Sequence, residues 1–287
     1  MSTVVRNRFY RVLSEAIADF TEHGFDSQER LDRWVRELKQ AAVESLVPES
    51  VLTKALNEAL GREFRRATDP RTLQRRHRAV PFFKLEQVKP RLRSELDRRI
   101  LASASLIRLN RDASVERTLQ RFVGWSTSIP SGGTRAVDKR ETNEDIRRSI
   151  AGLPFEERRV IIDQGHKLAA AINDIIATDA GAIVMTWHHV MEGGGYQARP
   201  EHVARNDEIF VVRGNWALEA GLMKLAGRKY TDQVDQPAEK PYCRCWWEAG
   251  YTLRDLPPEM LTAAGREQLA AARKQIASHM TERAIYV

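Results

Sequence analysis

The sequence predicts an α+β protein: an Arg-rich N-terminal helical region, then a long helix packed on a small β-sheet, and a C-terminal helix. Three observations carry this. Apolar residues recur at three- and four-residue spacing through residues 5–122. A Ser-, Thr-, Gly- and Pro-rich stretch at 125–137 (WSTSIPSGGTRAV) interrupts that pattern. Beyond it, one long helical pattern gives way to three short runs rich in β-branched and aromatic residues. The resulting division is a helical region at 1–124, a linker loop at 125–137 and an α+β domain with a C-terminal helix at 138–287.

In the first helix, over 5–20, Phe9, Val12, Leu13, Ala16, Ile17 and Phe20 form one apolar stripe. Gly24 ends it, and Asp26 or Ser27 caps the next. That second helix repeats the period with Leu31, Trp34, Val35, Leu38, Ala42 and Val43. Pro48 suits the first turn of a third, carrying Val51, Leu52, Ala55, Leu56, Ala59 and Leu60. A fourth runs from about Lys89 to Phe122, with Leu92, Leu96, Ile100, Ala104, Ile107 and Leu119 on one side. After the loop, 156–178 is helical through Val160, Ile161, Leu168, Ile172, Ile175 and Ile176. The strands are 182–187, 208–213 and 244–251, the first placing Ile183, Met185 and Trp187 on one face. Glu192 to Gly195 is a turn, 217–225 a short helix, and Pro257 with Pro258 opens the last helix, carrying Leu261, Leu269, Ala272 and Ile276.

Charge narrows the function classes. The 287 residues hold 46 basic and 39 acidic side chains, and the basic ones are 36 Arg against 10 Lys. Arginine's planar fork suits phosphate and carboxylate. Residues 1–160 carry 32 basic and 23 acidic residues and 161–287 carry 14 and 16, so the whole excess lies in the first part. It is densest from Arg62 to Arg99, with 13 basic against 5 acidic residues. Arg62, Arg65, Arg66, Arg71, Arg75, Arg76, Arg91, Arg93, Arg98 and Arg99 are therefore the candidate contacts for nucleic acid or an acidic protein, against the plainer reading of a solvated helical face. No apolar run approaches the roughly 20 residues that span a bilayer. No secretory h-region is expected, and two cysteines cannot staple a secreted scaffold, so synthesis in a cytosol is expected.

Polar chemistry collects between Trp187 and Cys245. In an extended segment Cys243, Cys245 and Trp247 share a face. Two thiols with His202 could bind a soft metal such as zinc, His188 or His189 completing the shell. The alternative is a pair of buried thiols packed beside Tyr242, Trp246 and Trp247. A disulfide between them closes too short a loop. Arg199 and His202 also suit a structural polar network with Glu201, Asp207 and Glu208. The usual templates for a nucleophile elbow, a Walker A loop, a dinucleotide fingerprint or a zinc protease are absent. An enzyme reading, a metal-dependent nuclease or hydrolase, would use His188, His189, His202 and the cysteines, with Glu192 or Glu201 as base.

The order of these features resembles a known family. A long helix leads to a strand ending in Trp187; then come Arg199-x-x-His202, a strand of bulky apolar residues, a variable loop and Pro241-x-Cys243-Arg-Cys245. This is similar to the phage Mu F-like head morphogenesis (minor capsid or minor head protein) family, over about residues 150–250. The resemblance implies a structural rather than enzymatic role: a few copies in the virion, at or inside the portal vertex of the phage head. There the chain would contact the portal protein, other head proteins and double-stranded DNA, acting in head assembly, DNA packaging or DNA ejection.

Overall fold

A computed structural model describes residues 3–190 and 197–284 of the chain. The turn expected at Glu192 to Gly195, and Glu192 itself, lie outside the described residues. The expected mixture of many helices and one small sheet is what the chain forms.

The elements run in order as α1 (Thr3–His23), α2 (Gln28–Ser45), α3 (Glu49–Ala67), α4 (Pro70–Arg76), α5 (Phe82–Ser126), α6 (Lys139–Asp179), β1 (Val184–His188), α7 (Pro200–Ala204), β2 (Ile209–Val211), α8 (Trp216–Glu219), β3 (Trp246–Gly250) and α9 (Ala263–Ala284). Ser27 caps α2 by accepting from the Arg30 amide, and Asp69 caps α4 through Thr72. Two helices are longer than the sequence predicts. α5 passes through Pro90 and α6 through Pro154. Proline lacks an amide proton and crowds the preceding turn, which makes it read as a boundary. Here the apolar faces on either side outweigh that local cost, with Leu85 and Val88 buried before Pro90, and Ile146 and Ile150 before Pro154. The helix expected at 217–225 is a single turn, because Gly221 and Ala226 adopt positive φ and turn the chain away.

The chain forms two compact units, which divide within the long helices. The first is Met1–Ala59 with Ile100–Ile162, the second Leu60–Arg99 with Asp163–Val287. The 125–137 segment joins α5 to α6 inside the first unit.

The first unit has one apolar core, built from Phe9, Leu13, Ile17 and Phe20 of α1, Leu31 and Leu38 of α2, Leu119 and Phe122 of α5, and Ile146, Ile150 and Leu153 of α6. Phe20 meets Phe122 edge-on at 5.7 Å. Each such side chain contributes about 1.5–3 kcal/mol when fully buried. Gly24, at φ +74°, lets the chain turn under the loop, where an added Cβ would lie 1.8 Å from the Pro130 carbonyl oxygen.

The second unit holds a three-stranded antiparallel sheet in the order β2-β1-β3. Its register pairs Met185 with Phe210 and Trp187 with Trp247. Both faces are covered. Met185, Trp187, Phe210, Cys243, Cys245 and Trp247 form one cluster with Ala177 of α6. Val184, Val211, Met223, Leu253 and Met260 form the other. Ile183, expected beside Met185 and Trp187, belongs instead to this second cluster. It precedes the regular strand, so the alternation that governs 184–188 does not reach it.

Candidate functional site

The first of the two clusters is where the sequence motifs meet. β1 delivers Trp187, fully buried, to the inner face. Pro200 at the first helical position starts α7, whose single turn buries His202. The His202 ring lies edge-to-face against Trp187 at 5.1 Å. Cys243 and Cys245 enter on the segment leading into β3. They alternate with exposed Tyr242 and Arg244, so the predicted two-residue periodicity across Cys243, Cys245 and Trp247 is observed. His202 Nδ1 stands 3.4 Å from Cys243 Sγ and 3.6 Å from Cys245 Sγ. All three residues are 3% exposed or less.

Arg199 and Pro241 complete the assembly. Arg199 Nη2 donates to the Pro241 carbonyl at 2.9 Å, tying the start of α7 to the cysteine segment. The loop there is held tightly. Ala238 and Tyr242 are both left-handed, at φ +63° and +61°, although neither is glycine. The Tyr242 amide donates to Asp163 of α6 at 2.5 Å, and the Ala238 amide donates to Cys243 Sγ at 3.4 Å. Unfavourable backbone at two such positions persists only when the surroundings over-determine it.

Asp235 is the residue the motifs do not announce. Its carboxylate accepts from His202 Nε2 at 2.9 Å and from Arg205 at 2.6 Å, with Lys240 at 3.5 Å. Burial would raise its pKa, but the hydrogen bond and charge of Arg205, aided by His202 and Lys240, outweigh that and hold it at about 2. Asp235 is thus an anion at ordinary pH and holds the His202 ring through Nε2, leaving Nδ1 as the ring nitrogen that faces the sulfurs. No spacing rule relates Asp235 to His202 across the intervening strand and loops. The two thiols are unequal. Cys245 lowers the pKa of Cys243 by hydrogen bonding to it, and that same interaction, with burial, raises Cys245. The Trp187 indole N–H makes no close hydrogen bond, yet is near enough to Cys245 to favour its ionised form.

His188 and His189 do not join this group. Among the described residues the metal-ligating side chains that cluster are His202, Cys243 and Cys245 alone. His188 follows Trp187 by one residue and therefore points to the opposite face. There it stacks on Trp246 at 4.5 Å and bonds to Glu248 at 2.9 Å. His189 is held by its amide to Asn206. Glu201 is exposed and pairs with Lys240, away from the sulfurs. The donor set of the nuclease reading is therefore not brought together. Neither Glu208 nor Asp207 contacts His202, so the polar network around that ring is built by Asp235 instead.

All ten candidate arginines fall in the second unit, the unit that also holds the cysteine–histidine cluster. They divide by partner. Arg91 pairs with Asp179, and Arg93 with Asp97. Arg98 and Arg99 both clasp the buried carboxylate of Glu95 at 2.7 Å. Burial raises the Glu95 pKa, but these two guanidiniums lower it further than burial raises it. Arg66 has Glu63 at 3.8 Å. Arg62, Arg65, Arg71 and Arg75 are exposed and have no carboxylate within 4.0 Å among the described residues. Arg76 reaches over the Trp246 ring at 5.9 Å, its pKa lowered by burial and by repulsion from Arg75 and Arg66. The ends of α3 and α4 thus carry a group of guanidiniums that repel one another.

No helix among the described residues is long and apolar enough to cross a membrane. Comparison with protein-family models, with curated proteins and with solved structures gives no match.

Proposed function

We propose that the chain is a phage virion structural protein, a minor head or head morphogenesis protein at the portal vertex. It would act in head assembly, DNA packaging or DNA ejection, alongside the portal protein and other head proteins. The observation that carries this reading is the ordered set of motifs ending in Trp187, Arg199-x-x-His202 and Pro241-x-Cys243-Arg-Cys245. Trp187, His202, Cys243 and Cys245 meet in one buried cluster, and Arg199 ties the short helix to the cysteine segment through the Pro241 carbonyl. The basic ends of α3 and α4 supply a second feature suited to a head interior. Their unneutralised guanidiniums are stabilised by a polyanion, and packaged double-stranded DNA is the one this reading names.

A phage with an early stop codon in this reading frame tests the proposal. The expected progeny are defective in head assembly, in DNA content or in delivery of that DNA. Normal yields of fully infectious particles would overturn it.

A further inference from the structure

We propose that His202, Cys243 and Cys245 hold a divalent cation of the zinc class, with Asp235 orienting the imidazole and water in the fourth position.

The first argument is that three metal-ligating atoms converge within 4.8 Å of one another. His202 Nδ1 is the ring nitrogen available to a metal, because Nε2 is committed to Asp235. Cys243 Sγ already accepts from the Ala238 amide. Cys245 Sγ faces the buried, otherwise unpartnered indole N–H of Trp187. The neighbouring guanidiniums are used elsewhere, Arg199 on the Pro241 carbonyl and Arg205 on Asp235. The two thiol protons bridge at most two of the three edges between these atoms. A cation between the three satisfies all of them.

Geometry gives the second argument. Zinc bonds sulfur at about 2.3 Å and imidazole nitrogen at about 2.0–2.1 Å, so a tetrahedral centre sets each N···S edge at about 3.5 Å. The two edges here are 3.4 and 3.6 Å. All three ligand atoms lie within 4.8 Å of one another. The soft thiolates select zinc over magnesium or calcium.

A third feature lies outside the ligands. A metal-bound histidine almost always donates its other ring N–H to a carboxylate or carbonyl, and Asp235 is that partner. Asp235 is itself anchored by Arg205. The two left-handed residues, Ala238 and Tyr242, fit a loop shaped to aim sulfurs rather than merely to bury them. Bound this way, the ion ties α7 to the segment entering β3 and so clamps the β1–β3 edge of the sheet.

The test uses the full chain without a histidine tag, kept reduced. Elemental analysis of protein from zinc-containing medium should find about one zinc per chain. Protein stripped of metal and titrated with cobalt(II) should develop a thiolate-to-cobalt charge-transfer band and the intense d–d bands of a tetrahedral site, both bleached by zinc. Cys243→Ser and His202→Ala should lose them. Asp235→Asn should keep the stoichiometry and weaken affinity about 10–100-fold. Wild-type protein that carries little zinc and gives no charge-transfer band overturns the proposal, as does a band undiminished in Cys243→Ser. Should a variant not fold, the wild-type cobalt spectrum decides alone, because it reports directly whether thiolates bind the ion.

Discussion

Acidification should weaken the second unit through one buried histidine. His77, just after α4, is 1% exposed, and its Nδ1 is 2.6 Å from the Tyr251 hydroxyl while Nε2 has no partner. Burial, and secondarily the charge of Arg76, push its pKa from 6.5 down to about 4. The ring is therefore neutral in the fold, whereas in the unfolded chain it takes up a proton as pH falls through 6.5. Its contribution is complete above pH 6.5 and is lost progressively toward pH 4. The full shift corresponds to about 3 kcal/mol, of which about 2 kcal/mol is gone by about pH 5. Urea unfolding at about pH 7.5 and about pH 5 measures this, with His77→Gln as the reference that keeps a polar group but cannot titrate. The wild type should lose about 2 kcal/mol more than His77→Gln across that interval. Equal losses in the two proteins would refute the reasoning.

Three further outcomes follow from the geometry. Gly24→Ala should destabilise the first unit by at least about 1–3 kcal/mol, since it combines positive φ with a backbone clash; thermal unfolding reads this, and an unchanged midpoint would contradict it. Arg111→Ala should cost about 3–5 kcal/mol, because Arg111 is buried on Glu157 at 2.7 Å and on the Val47 carbonyl at 2.8 Å, and its loss strands a half-buried carboxylate. A double-mutant cycle with Glu157→Gln should recover part of that loss. Replacing Arg62, Arg65, Arg71 and Arg75 by Gln should lower affinity for nonspecific duplex DNA, and each lost phosphate contact should reduce the slope of log affinity against log salt by about 0.9. Binding unaffected by the fourfold change would rule out this face as the DNA contact.

Helix positions were legible because burial imposes a period that the sequence must carry. Leu13, Ile17 and Phe20, or Leu92 and Leu96, are spaced as a buried stripe requires, and each is buried. Helix limits were less legible where a local signal competed with distant packing. Pro90 and Pro154 read as boundaries, and the apolar residues that carry the helices through them act through partners far along the chain. At the site, Cys243, Cys245 and Trp247 could be placed on one face from alternation alone, and His202 was implied by the motif order. The exclusion of His188 follows from the same alternation, since its neighbour Trp187 takes the inner face. Asp235 and the amide of Ala238 could not be foreseen, because both act through a loop whose path depends on two left-handed residues that are not glycines.

The protein composition of purified, DNA-filled particles tests the central claim most directly. The account predicts a few copies of this chain per particle by quantitative mass spectrometry, retained with the portal when heads are dissociated. Complete infectious particles lacking the chain, with all of it left in the host's soluble fraction, would contradict the account.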